Sequence, residues 1–394
     1  MKIVDRAIEN VLISRSKQFP VVTITGPRQS GKTTLVRKVF PHKTYLTLED
    51  PDVRSLAQSD PRGFLAQNKS GLVLDEIQRV PELLSYIQGI VDETKEAGQF
   101  ILTGSQQFSL MKGVAQSLAG RTALLKLLPF TRQETAQFEP ITGDILLRKG
   151  FFPRVWSEKV DIHATYSAYF ETYIQRDLRA LIRVKDLAMF QKFVRLCAGR
   201  VGQVWVASHL SNDLGVTVST IQEWLSILQA SYIVYLLEPY YENIGKRLIK
   251  SPKLYFYDTG LVCYLLGLER DEQLARDPVR GYLVENYAVM ELLKSRYNQG
   301  QDSNLFYFRD QQHHEIDILI KNGRELTTLE VKAGQTFQSE MVKHLQYLKT
   351  LLPDAVVDQY LLYTGAREFE YKGIKVRDVF GLPSFTGKLL VSSI

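Results

Sequence analysis

Gly26-Pro27-Arg28-Gln29-Ser30-Gly31-Lys32-Thr33 fits the pattern G-x-x-x-x-G-K-[ST] in full, with Thr34 following. That spacing suits one chemistry. The glycines let successive backbone N–H groups curl around a phosphate, and the helix that follows turns its positive end to the same anion. Lys32 would supply charge to the β- and γ-phosphates, and the Thr33 hydroxyl would ligate Mg²⁺. Gly71-Leu-Val-Leu-Asp75-Glu76 ends an apolar run in two carboxylates. Asp75 is expected in the Mg²⁺ shell, and Glu76 is expected to polarise the attacking water. The next apolar run, from Phe100, ends in Thr103-Gly104-Ser105, so either hydroxyl is a candidate γ-phosphate sensor. The plain alternatives are a Gly-rich turn, an acidic helix start and a strand-ending turn; the complete phosphate loop between a strand and a helix outweighs them. No Asn-Lys-x-Asp guanine-reading sequence occurs, since Asn68-Lys69 continues as Ser70-Gly71, which points to adenine. Arg28, Arg121 and Arg176 are candidate arginine fingers, each equally well explained by a salt bridge.

These residues need a parallel sheet to carry them. Short β-branched runs at Val21–Thr25, Thr44–Leu48, Leu72–Leu74, Phe100–Leu102 and Ala123–Leu127 alternate with polar helical stretches, the pattern of an α/β fold. Thr131-Arg-Gln-Glu134 has the form of a capping box that opens a helix after the last of them. The expected organisation is a P-loop ATPase domain over 1–140, a helical connector over 141–190, a winged-helix-like domain over 191–270 and a nuclease-like α/β domain over 271–394. At 394 residues the chain is long enough for two or three cores.

Within the third segment, Ser208–Leu214 is expected as a short helix and Gly215-Val216-Thr217 as a turn. Ser219-Thr-Ile-Gln222 is expected to cap a second helix running to Ala230, with Ile221, Leu225 and Leu228 facing the core. Strands at Tyr232–Leu237 and Lys253–Tyr257 would flank a basic loop containing Lys246, Arg247, Lys250 and Lys253, the layout of a winged helix. The second helix offers Ser219, Thr220, Gln222 and Glu223 but no Arg or Lys in its first turns. Any DNA contact would therefore grip backbone through the loop rather than read bases.

The last segment carries a second acidic constellation. Asn322-Gly323 between Ile316–Lys321 and Arg324–Val331 predicts a hairpin in which Lys321 pairs with Arg324. Asp317 would then lie opposite Thr328, with Ile316, Ile318, Ile320, Leu329 and Val331 on one face and Asp317, Glu330 and Lys332 on the other. This resembles the D…E-x-K core of restriction-endonuclease-like folds, with Glu285 on the preceding helix as a further candidate ligand of a second divalent metal. A solvated face of an amphipathic hairpin explains the same residues. His313 and His314, just before the strand, are expected at surface or supporting positions.

Gly26-Pro-Arg-Gln-Ser-Gly-Lys-Thr, Leu74-Asp-Glu-Ile-Gln78, Leu102-Thr-Gly-Ser105, Leu118-Ala-Gly-Arg121 and Tyr173-Ile-Gln-Arg-Asp177 together resemble the AAA-type ATPases with a C-terminal DUF4143 domain. The resemblance spans essentially the whole chain. It implies an additional-strand (ASCE) ATPase core, a winged-helix segment and a C-terminal nuclease-like fold, with ATP and Mg²⁺ as cofactors. The composition, 45% hydrophobic and 23% charged, is that of a folded protein, and a net charge of +6 permits a polyanionic partner without requiring one. No apolar run approaches a membrane span, the N-terminus has no signal-peptide form, and Cys197 and Cys263 are isolated, so a cytoplasmic protein is expected. The expected activity is that of an ATP-hydrolysing switch acting on or with DNA. An ATP-dependent scaffold with a non-catalytic nuclease-like module and an ATP-gated metal-dependent nuclease are its rivals. ATP is the expected ligand, with DNA, a protein or a second copy of the chain as further partners.

Overall fold

A computed structural model describes residues 3–67, 71–105, 117–158, 160–177, 187–241 and 249–390, the side chains of 174–177, 388 and 390 excepted. The chain divides into two compact units. The first comprises Met1–Phe130, Ala230–Tyr232 and Tyr297–Gln301; the second comprises Thr131–Gln229, Ile233–Arg296 and Asp302–Ile394.

The first unit is built on five parallel strands, β1 (Val21–Thr25), β2 (Thr44–Thr47), β3 (Leu72–Asp75), β4 (Phe100–Gly104) and β5 (Thr122–Lys126), in the order β2-β3-β4-β1-β5. β1 is buried along all five residues because it is central, hydrogen-bonded to β4 on one side and β5 on the other. All five of its residues are β-branched, with Val21, Val22 and Ile24 apolar, which suits a strand covered on both faces. β4 is inserted between the phosphate-loop strand β1 and the acidic strand β3, so the unit has the P-loop NTPase arrangement with an additional strand. One face is covered by helix Leu83–Thr94, which buries Leu83, Leu84, Ile87 and Val91 against Leu72, Leu74, Phe100 and Leu102. Ile8, Leu12, Leu35 and Val36 fill the other face.

In the second unit, Thr131 and Glu134 form the reciprocal capping box anticipated from their spacing. Helices Ala207–Leu214 and Val218–Ala230 are followed by an antiparallel pair, β6 (Val234–Leu237) and β7 (Lys253–Phe256). Ile221, Leu225 and Leu228 are buried, each removing apolar surface worth about 2 kcal/mol. The helix start differs from expectation. Thr217, not Ser219, accepts the backbone N–H three residues on, that of Thr220 at 3.2 Å, so the helix begins at Val218, two residues earlier.

The remaining sheet has the order β12-β13-β11-β10-β9-β8, with β8 Leu305–Arg309, β9 Glu315–Asn322, β10 Glu325–Lys332, β11 Val356–Tyr363, β12 Phe369–Tyr371 and β13 Ile374–Asp378. β10, β11 and β13 run parallel, and helix Lys343–Leu351 makes the crossover from β10 to β11. The β9–β10 hairpin keeps a two-residue loop but places it one residue later than Asn322-Gly323 implies, so Thr328 lies opposite Leu319 rather than Asp317. Asn322 pairs with Glu325, leaving Gly323-Arg324 as the two-residue loop, with Gly323 at φ 63°, the glycine-first arrangement of a type II′ turn. Asn304 accounts for the difference, because its amide donates to the Asn322 side chain at 2.9 Å and to Lys321 O at 3.0 Å, holding Asn322 in the ladder. A register shift between β8 and β9 also breaks strict alternation, so that Ile316 and Leu319, three residues apart, share one hydrophobic cluster with Leu326. The expected single aliphatic face is therefore replaced by a strand buried on both sides.

Candidate nucleotide site and a second buried ionic cluster

The phosphate loop turns out of β1 under close constraint. A Cβ at Gly26 would meet Leu127 O at 2.0 Å, so only glycine allows the loop to pass β5's exit. Gln29 holds φ 62°, a left-handed conformation uncommon for a side-chain-bearing residue. Arg6, 8% exposed, props the loop from below, its guanidinium donating to Ser30 O at 2.8 Å and Leu128 O at 2.7 Å. Lys32 folds back on the loop, its ammonium 3.0 Å from Gly26 O and 2.8 Å from Pro27 O. Burial pushes its pKa down to about 8, with Glu76 and Asp75 pulling it back up. A buried ammonium hydrogen-bonded to neutral carbonyls, in a loop whose buried Ser30 hydroxyl has no partner among the described residues, fits an incoming polyphosphate.

The two acidic residues sit in separate nests of hydroxyl donors. Thr33 Oγ1 donates to Asp75 Oδ2 at 2.7 Å, joining the phosphate loop to β3. Tyr45 donates to the same oxygen at 2.5 Å, and Thr103 donates to Oδ1. Glu76, at φ 56°, turns the other way. Its Oε2 accepts from Ser105 Oγ at 3.0 Å and from the Gln78 amide. Thr103 and Ser105, the hydroxyls expected to sense phosphate, thus each hold one carboxylate of the acidic pair. Thr34 is partly buried on the first turn of the helix after the loop. Arg28 lies 3.5 Å from Glu49. Arg121 is not at this site: it precedes β5 at the amino ends of the strands, paired to Asp92 at 2.5 and 2.9 Å. The Arg176 side chain lies outside the described residues. Tyr45, Gln78 and Arg6 were not assigned roles from the sequence, because their contacts span 30 residues, a turn and 122 residues respectively. Only the Gln78 position, two after Glu76 in Leu74-Asp-Glu-Ile-Gln78, offered a local signal.

The second unit brings Glu285, Asp317, Glu330 and Lys332 together, though not on a solvated face. Glu285 is 7%, Asp317 7% and Glu330 4% exposed. Asp317 Oδ2 accepts the Val331 N–H at 2.8 Å, and Lys332 reaches Glu330 Oε1 at 2.6 Å. The residue the sequence misplaced is Lys253. Expected on a phosphate-gripping loop, it is buried instead. Its ammonium lies 2.8 Å from Glu285 Oε1, 2.5 Å from Glu315 Oε1 and 3.6 Å from Asp317 Oδ1. Tyr255, two residues along β7, donates to Glu285 Oε1 at 2.5 Å. Burial pushes the Glu285 carboxyl up to about 7, against the pull of Lys253 and with the push of Asp317. Burial, then Asp317, raises Glu330 well above the usual carboxylate range. Burial opposes the charge on Lys253, but Glu285, Tyr255, Asp317 and Glu315 overcome it and hold its pKa well above normal. Among the described residues no group of three or more His, Cys, Asp and Glu is disposed to hold a metal ion. A second divalent ion does not fit, because an ammonium stands where the carboxylates converge. His314 is bound instead to Asp310 at 3.0 Å and stacked on Tyr347, and His313 contacts Arg309 at 2.9 Å.

Comparison with known proteins agrees with this architecture. An AAA domain matches residues 18–136, a domain of unknown function (DUF8612) matches 144–272, and a second (DUF4143) matches 280–385. An uncharacterized protein of Mycobacterium tuberculosis is 32% identical over 323 residues, covering 80% of this chain and 71% of its own. The chain belongs to the AAA-type ATPases with a C-terminal DUF4143 domain. A more distant relative, an uncharacterized protein of Methanocaldococcus jannaschii, is 22% identical over 378 residues, covering 87% of this chain and 80% of its own length. A solved Walker-type ATPase of Pyrococcus abyssi is 14% identical with a TM-score of 0.43, covering 67% of this ATPase and 96% of that chain. Among the described residues, no helix is long and apolar enough to cross a membrane.

Proposed function

We propose that this chain is a Mg²⁺-dependent ATP-hydrolysing switch whose nucleotide state governs what its second unit binds. The single observation that carries the reading is the 2.7 Å contact of Thr33 Oγ1 with Asp75 Oδ2, which joins two motifs 42 residues apart at one oxygen. Thr33 and Asp75 are the residues that would hold Mg²⁺, whose chemistry is to neutralise charge on the β- and γ-phosphates. Lys32 would exchange its two carbonyl partners for phosphate oxygens, moving from neutral acceptors to charged ones. Glu76 would accept the proton of the attacking water once released from Ser105 and Gln78.

Nucleic acid is the partner class we infer for the second unit, through its winged-helix-like segment. Helix Val218–Ala230 exposes Ser219, Gln222, Glu223 and Ser226 and no cation, which favours backbone contact over base reading. Of the basic loop, Lys246 and Arg247 lie outside the described residues, Lys250 is exposed, and Lys253 is withdrawn into the ionic cluster. That withdrawal favours a binding module over a nuclease.

ATPase rates with and without single- and double-stranded DNA, for wild type and Glu76→Gln, test the reading. Glu76→Gln should retain ATP while turnover falls by roughly 10²–10⁴-fold. DNA stimulation should fade as salt rises. Wild-type turnover in Glu76→Gln would make Glu76 structural and end the assignment. A rate indifferent to either DNA would remove nucleic acid from it.

A further inference from the structure

Lys253 opens β7, where its backbone pairs with Leu237 and bridges to Val204, so its position is fixed by the sheet rather than by a loop. From there its side chain runs inward to 2% exposure. Three carboxylates close on the ammonium from two elements. Glu285 comes from helix Val279–Asn298, and Glu315 and Asp317 come from β9. The Tyr307 ring covers it from a further side, 5.6 Å to the centroid. An ammonium has three donors, and three carboxylate oxygens lie at 2.5, 2.8 and 3.6 Å. Arg309 holds the far oxygen of Glu315 at 3.1 Å, and Lys332 holds Glu330. Four carboxylates therefore meet three cations. The oxygen left over is Glu330 Oε2, which is buried and has no hydrogen-bond partner among the described residues. Neighbouring Asp317 is the group whose charge bears most on Glu330. Hard divalent cations take their oxygens at about 2.0–2.6 Å, from this same type of carboxylate set.

We propose that Lys253 is the resident cation of this cluster: its ammonium occupies the point on which Glu285, Glu315 and Asp317 converge, and removing it uncovers a latent site for Mg²⁺ or Mn²⁺. The intact chain holds its C-terminal carboxylates together with a covalently tethered charge. Metal has no place to enter, and the sheet serves as a scaffold without hydrolysing phosphodiesters. Removing the ammonium leaves three inward-facing carboxylates and the unpartnered Glu330 oxygen, a donor set for a hard divalent ion. This inference concerns the cluster alone and stands whether or not the phosphate loop turns over ATP.

The experiment uses the full chain without nucleotide, followed by thermal melting in EDTA and in titrated Mn²⁺, with bound Mn²⁺ counted by electron paramagnetic resonance. Wild type should melt at the same temperature in both. Lys253→Met should melt several degrees lower in EDTA, recover in Mn²⁺, and bind one ion more than wild type. Adding Asp317→Asn to it should abolish both the recovery and the extra ion. Should Lys253→Met fail to fold, Lys253→Met with Glu285→Gln, which removes one charge of each sign, should regain a cooperative melt. No cooperative melt in that double variant would overturn the proposal. So would a wild-type melt raised by Mn²⁺ in an Asp317-dependent way, wild-type Mn²⁺-dependent cleavage of plasmid lost in Asp317→Ala, or a folded Lys253→Met that takes up no ion.

Discussion

Lys32 and Lys253 lie buried in different units, and their partners make them opposites. Lys32, 5% exposed, is held by two backbone carbonyls of its own loop. Lys253, 2% exposed, is held by three carboxylates. Neutral acceptors satisfy the hydrogen bonds of Lys32 but leave its charge uncompensated at close range, and burial lowers its pKa to about 8. Carboxylates satisfy both hydrogen bonds and charge, so Lys253 keeps its proton far above the usual range despite deeper burial. The difference separates a cation kept in reserve for a ligand from one whose counter-ions are built in. Burial alone does not distinguish them; the charge of the nearest oxygen does.

The largest contrast should appear on deletion. Lys32→Ala should weaken Mg·ATP binding by roughly 100-fold or more, since several charge-assisted bonds are lost, while the ligand-free melt stays within a degree or two of wild type. Lys253→Met should do the reverse, lowering stability by about 3–5 kcal/mol and leaving ATP affinity unchanged, because removing one partner strands buried charge. Equilibrium binding of a fluorescent ATP analogue beside melting curves reads both. A Lys32→Ala chain that binds ATP normally, or a Lys253→Met chain as stable as wild type in EDTA, breaks the comparison.

Proton linkage gives a smaller effect of definite sign. Lys32 in the fold releases its proton near pH 8, whereas an unfolded lysine does so at 10.5. Between those values the unfolded chain binds more protons, so the contribution of Lys32 to stability rises with pH across that window. Bound phosphates favour the charged form, so Mg·ATP binding at pH 8.5 should take up part of a proton. Calorimetry in buffers of different ionisation heat measures it. Zero uptake at pH 8.5 would mean that Lys32 is already fully protonated without ligand.

The smallest expected effect belongs to Tyr45, which donates to Asp75 Oδ2 at 2.5 Å. Tyr45→Phe removes one hydrogen bond to a carboxylate that Thr33 and Thr103 still hold. Mg²⁺-dependent ATP affinity should fall by about 5–10-fold with little change in ATP binding in EDTA. An equal loss with and without Mg²⁺ would assign Tyr45 to the loop rather than to the metal residues.

What the sequence determined by itself is local. The spacing from Gly26 to Thr33, the apolar run that delivers Asp75 and Glu76, and the helical period of Ile221, Leu225 and Leu228 are patterns within a few residues. Backbone geometry of 3.6 or 2 residues per repeat translates them directly into elements and faces. The hairpin also was legible as a hairpin, but its pairing was not, since Asn304, 18 residues before Asn322, decides which residue closes the ladder. Tertiary structure alone decided the rest. Arg6 finds Leu128 O across 122 residues, and a register shift opposite β8 sends Ile316 and Leu319 to one side. Lys253 had the local signature of a loop cation, with Lys250 close before it and further basic residues upstream. Its fate depended on Glu285, Glu315 and Asp317, 32 to 64 residues away in sequence. Charge in a protein takes its meaning from the nearest opposite charge in space, and no periodicity in the chain encodes that distance.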